Sequence, residues 1–139
     1  MAKTVGLIAS IATLAEVVLK LEQLISRLRN APDELLALSN ELTDMKALFK
    51  EVERLVEDDP ESKMRFQATL EIANQRIHAV GAFLGRLDIS NVNYVDRVTW
   101  MRYKSKVCRL QSQIRDARVH LTALLGVETM YVFLMIKCP

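Results

Sequence analysis

Four long runs of apolar residues, spaced three and four apart, constrain this chain more than any other feature of its sequence. Leu7, Ile11, Leu14, Val18, Leu21, Ile25 and Leu28 make the first, with Glu16, Lys20, Gln23 and Arg27 as its opposing polar row. Leu35, Leu38, Leu42, Met45, Phe49, Val52 and Val56 make the second. Phe66, Leu70, Ala73, Ile77, Val80, Leu84 and Leu87 make the third. Trp100, Tyr103, Val107, Leu110, Ile114, Ala117, Leu121 and Leu124 make the fourth. Such spacing stacks one apolar side chain per helical turn on a single face, and that face must be covered. A repeat of about seven residues held this long specifies helices packed with a left-handed lean.

The interruptions carry helix-end chemistry. Asn30-Ala31-Pro32-Asp33-Glu34 reads as a short turn and a helix start, with proline where no N–H is needed and acids at the positive end of the dipole. Glu57-Asp58-Asp59-Pro60-Glu61-Ser62 is the second break, and Asp88 to Asn93 the third. The chain holds only 4 Gly and 3 Pro, too few for the many turns of a sandwich or barrel. Its apolar half is mostly Leu, Ala, Val, Ile and Met, with aromatics at 6%. The expected fold is all-α: an antiparallel, up-down-up-down four-helix bundle over residues 1–126, with helices at about 4–29, 32–57, 62–87 and 95–125. Residues 127–139 form an apolar tail after Gly126, to be explained as a helical extension, as a cover over the bundle end, or as the beginning of further chain.

Charge is unevenly spread although the net is only +2. Residues 31–60 carry nine acids and three bases, whereas residues 88–139 carry eight bases and four acids. Cys108 and Cys138 are too few to scaffold a chain with this much core, so both are expected as free thiols in a reducing cytosol. Lys3 followed by the uncharged stretch Thr4 to Ala15 has the outline of a signal peptide, but the helical pattern runs unbroken through the would-be cleavage region. That stretch is also shorter than the ~20 residues a membrane span needs.

No catalytic or metal-binding constellation is evident. His78 and His120 have no acid or Cys at ligand spacing, and His78 falls opposite its helix's apolar stripe. There is no Glu-x-x-His motif, no phosphate loop and no G-x-S-x-G. The chain is expected to be no enzyme, to hold no metal or cofactor, and to take no small-molecule substrate. Trp100 and Tyr103 beside basic residues come without a nucleic-acid-binding motif.

Three features stand out. The opening of helix one, Val5 to Ala15, is apolar or small nearly all round, which suits either a helix end sunk in the core or a segment able to leave the bundle for a bilayer. Helix four carries Arg102, Lys106 and Arg109 on one side of its stripe and Arg97, Lys104, Arg115 and Arg118 on the other. In a simple ring helix four would neighbour one and three, leaving the acidic helix two diagonal and the basic flanks open to water or to anionic lipid. Gly81 and Gly85 suggest a place where a neighbour or the following loop comes close.

Val5-Gly6-Leu7-Ile8-Ala9-Ser10-Ile11-Ala12-Thr13-Leu14 resembles the start of the HeLo-like effector domains at the front of fungal NOD-like (STAND) receptors. Ala31-Pro32-Asp33-Glu34-Leu35-Leu36-Ala37-Leu38 is similar to the start of their second helix, and Val98-Thr99-Trp100-Met101-Arg102-Tyr103-Lys104-Ser105-Lys106 to that of their fourth. The likeness spans about residues 4–125 and extends to the related HeLo and mixed-lineage-kinase-like bundles. It implies a cytoplasmic cell-death effector of innate immunity or incompatibility that oligomerises and is recruited to the plasma membrane. Carried over, Val5, Leu7, Ile8, Ile11 and Leu14 are the candidates for membrane insertion, and Glu16 for lining a pore. Arg102, Lys104, Lys106 and Arg109 are the candidates for contact with anionic lipid or a partner. Those receptors carry a nucleotide-binding module behind the bundle, and this sequence has none. A soluble adaptor that self-associates or docks another receptor's bundle without touching lipid suits the same stripes.

Overall fold

The computed structural model describes residues 2–87 and 95–137, with the side chains of residues 2–10, 132 and 135–137 left out of the description. Four α-helices form among the described residues: α1 (Ala2–Ser26), α2 (Asp33–Asp58), α3 (Lys63–Arg86) and α4 (Arg97–Lys137). A single 3-10 turn, Pro60–Ser62, leads into α3. There is no strand among the described residues.

The helix ends are held by local chemistry. Pro32 is extended (φ −62°, ψ 154°) at the cap of α2, and its carbonyl accepts from the Leu35 and Leu36 N–H groups at 3.0 Å. Asp33 and Glu34 then occupy the first turn, where the dipole favours negative charge. The Asp59 N–H closes α2 on the Leu55 carbonyl at 2.8 Å, and Ser62, fully buried, donates its hydroxyl to the Asp59 carbonyl at 2.7 Å. Asp96 caps α4 by accepting from the Thr99 N–H at 3.2 Å. Asn30 binds both the N–H and the carbonyl of Val95, at 3.2 and 3.1 Å, and so ties the α1–α2 turn to the segment that opens α4. The third break expected between Asp88 and Asn93 lies outside the described residues.

The stripes meet in one core. Every member of the first stripe from Ile11 onward is buried, as is every member of the second and third. Val107, Leu110, Ile114, Ala117 and Leu121 are buried from the fourth, with Trp100, Tyr103 and Leu124 packed partly against them. Phe83, absent from the expected stripe, is 1% exposed and meets Tyr103 edge-on at 5.8 Å between centroids.

The order of helices around the ring differs from the expected one. α1 packs against α2 and α3, and α4 packs against α2 and α3, so α1 and α4 are diagonal, as are α2 and α3. Chain-sequential helices run antiparallel, and two side-by-side pairs, α1 with α3 and α2 with α4, run parallel. The acidic second helix is therefore a neighbour of the basic fourth. Charge supplies a reason: α2 offers carboxylates along the side that meets α4, whereas α1 carries only Glu16 and Glu22.

Candidate functional site

The basic flanks of α4 come from its helical pitch, and the ring order gives them different fates. Lys104 Nζ lies 3.1 Å from Glu34 Oε1. Arg115 and Arg118 both donate through Nε to Glu41, at 3.0 and 2.8 Å. Pairs that advance together along both chains are what parallel helices produce. Glu41 is 8% exposed. Its burial raises the carboxyl's pKa, but the hydrogen bonds and charges of Arg118 and Arg115 outweigh that and hold the group below its ordinary 4.5. Glu34 is also lowered, by a backbone hydrogen bond at the helix start and by Lys104.

Arg102, Lys106 and Arg109 lie on the other flank, toward α3. That helix supplies one acid, Glu71, against Lys63, Arg65, Arg76 and Arg86. No ion pair engages Arg102, Lys106 or Arg109 among the described residues. A groove of about 320 Å³ continues along the same seam, lined by Thr69, Ile72 and Arg76 of α3 and Gln113, Asp116, Ala117 and His120 of α4. Of the four basic candidates, Lys104 is thus partnered by an acid, and the other three form a basic strip that makes no ion pair among the described residues.

The two apolar chain segments share one end of the bundle. Lys46 Nζ is 2.9 Å from Glu22 Oε1, and the Thr43 hydroxyl donates to Glu22 Oε2 at 2.9 Å. Residue 22 is therefore level with residues 43–46, and counting back along antiparallel helices brings about residue 9 level with Asp58. The first two turns of α1 run on past the end of α2. Ile11 and Leu14 belong to the core, and Glu16 is exposed on α1. The side chains of Val5, Leu7 and Ile8 lie outside the described residues.

The tail is a helical extension: α4 continues through Gly126 to Lys137, 41 residues and roughly 60 Å in all. Glu128, 3% exposed, is held by Arg65 Nη1 at 2.9 Å, and the Arg65 guanidinium stands 5.4 Å from the centre of the Tyr131 ring. Beyond this latch about a turn and a half of α4 passes the start of α3. Met130, Phe133 and Leu134 are each more than half exposed. No helix among the described residues is long and apolar enough to cross a membrane, and no group of three His, Cys, Asp or Glu among them could hold a metal ion.

Gly81, Gly85 and Gly126 do not serve close approach among the described residues. A Cβ on Gly81 would meet Leu21 Cδ2 at an ordinary 3.8 Å, and one on Gly85 or Gly126 would meet nothing within 4 Å. Cys108 is exposed as a free thiol, and Cys138 lies outside the described residues. The buried carboxylates Glu41 and Glu128 were the features that spacing alone did not single out. A signal existed for the second: 128 continues the Leu121–Leu124 stripe, so a charge there needs a partner. No protein-family model, curated protein or solved structure matches this chain.

Proposed function

We propose that this bundle is a regulated cell-death effector domain of the HeLo-like kind, which self-associates and engages membranes through the start of α1. The observation that carries this reading is the apolar opening of α1, which runs past the end of α2. The core position of Ile11 and Leu14 divides the insertion candidates in two. Ile11 and Leu14 reach lipid only if α1 leaves its neighbours, so they follow Val5, Leu7 and Ile8 in this reading. The basic strip of Arg102, Lys106 and Arg109 suits an anionic headgroup layer, with Lys104 in a lesser part. Nothing in α4 supports a spanning helix, so the engagement is interfacial until α1 is released.

The adaptor reading draws its support from the α2–α4 ion pairs, which engage Lys104, Arg115 and Arg118, three of the seven basic residues flanking the stripe of α4. Vesicle flotation separates the two. The executor reading expects the chain to float with anionic vesicles and not with neutral ones, and expects Leu7→Glu and Arg102→Glu/Arg109→Glu to stay in solution while folded. A chain that ignores both vesicle types even when fused to a dimerising tag would leave the adaptor reading.

A further inference from the structure

We infer that the outward face of the last turns of α4 is a docking surface for a second copy of this chain, forming a two-fold pair joined tip to tip. The inference stands on the geometry of that end and does not depend on the membrane reading.

The sequence of α4 changes character after Leu124. The inward stripe of Leu121 and Leu124 continues to the latched Glu128, while a second stripe begins on another face: Val127, Met130, Tyr131 and Leu134. Their spacing of three, four and seven is that of a helix covered by another helix. All four are exposed, from 49% at Tyr131 to 66% at Met130. The bundle therefore leaves uncovered a stripe of the very pattern that its other helices bury. Met64, at the start of α3 on the same end, is exposed as well.

The latch gives this stripe a fixed base. Arg65 binds Glu128 and stacks over Tyr131, so the helix is pinned one turn before its exposed tip. A helix held rigid forfeits little conformational freedom on docking.

Area and charge select the occupant. Each exposed side chain of the stripe offers roughly 100 Å², so two copies facing one another bury about 1,000 Å² with their immediate flanks, the lower limit of a specific interface. A stripe that meets its own copy across a two-fold axis is self-complementary without further design. Val127 to Leu134 contains one charged residue, Glu128, which is already neutralised, so nothing repels along the seam. Antiparallel pairing also keeps Lys137 of each copy apart, whereas parallel pairing would set the two together.

Sedimentation equilibrium of the full chain, in reductant to silence Cys108 and Cys138, tests this. The expected result is a reversible dimer with a micromolar Kd, weakened at least about tenfold by Leu134→Glu and by Met130→Glu, each with the wild-type thermal melt. Small-angle scattering should give a longest dimension of about 105 Å for the tip-to-tip pair, against about 60 Å for a side-by-side one. A wild-type chain that stays monomeric at several hundred micromolar overturns the inference, as does a dimer indifferent to both substitutions. If Leu134→Glu does not fold, Met130→Glu alone decides. A monomer that floats with neutral vesicles through the same residues also overturns it, with lipid as the occupant.

Discussion

Replacing Glu41 by Gln removes one charge from the contact between α2 and α4 and changes almost no volume. Glu41 accepts from Arg115 at 3.0 Å and Arg118 at 2.8 Å, and its carboxylate is nearly buried. Breaking a fully buried ion pair costs about 3–5 kcal/mol, and an exposed one about 0–1 kcal/mol. Here the acid is buried, but the Arg115 side chain is 54% exposed and that of Arg118 28%, so water recovers part of what they lose. The expected loss at pH 7 is about 1–2 kcal/mol. The pH dependence carries its own sign. The carboxyl titrates lower in the folded chain than its ordinary 4.5, so its contribution is complete above that value. It is lost as pH falls through the folded value, because the unfolded chain then binds the proton first. Urea unfolding followed by helical circular dichroism should show wild type and Glu41→Gln separated at pH 7 and converging well below pH 4.5. Equal stability at pH 7, or a gap that persists unchanged in acid, would refute the argument that this carboxylate clamps the two helices.

Leu42→Ala and Ile77→Ala each remove a fully buried side chain and should cost about 2–5 kcal/mol in the same urea assay. Gly85→Ala should stabilise the chain by up to about 1 kcal/mol, since helix propensity improves and no atom stands within 4 Å of the new methyl. Arg65→Ala leaves Glu128 buried without its cation and should cost about 1–3 kcal/mol. Hydrogen exchange should then speed up in the last turns of α4 while the cores of α1 and α2 stay protected.

The local part of the fold was legible and the long-range part was not. Three-and-four spacing reports which face of a helix is buried, because one turn of helix suffices to write it. All of the second and third stripes are accordingly in the core. Which helices become neighbours is decided by partners distant in sequence. Glu41 sits beside the stripe residue Leu42, and nothing local says that its cations are Arg115 and Arg118. The expected ring, with α4 beside α1, failed for that reason. Gly126 read as a helix end, but one glycine costs only about 1 kcal/mol in a helix, and α4 continues through it to the contact of Glu128 with Arg65. Gly81 and Gly85 invited a packing explanation, but the neighbour at Gly81 stands at ordinary contact distance and none is near Gly85, while the loop that follows lies outside the described residues. At the candidate site, the basic flanks were placed on the correct sides of α4, while the sorting of one flank into ion pairs depended on the ring order.

The central claim is that the start of α1 carries the chain into membranes, and dye release from vesicles tests it most directly. Vesicles containing anionic lipid, with neutral vesicles alongside, would be titrated with wild type, Val5→Glu and Leu7→Glu, each free and fused to a dimerising tag. The account predicts release that needs anionic lipid, rises with forced association, and is lost in both variants while their melts stay unchanged. Undiminished release by folded Val5→Glu and Leu7→Glu, or no release by the wild-type chain under any of these conditions, would contradict it.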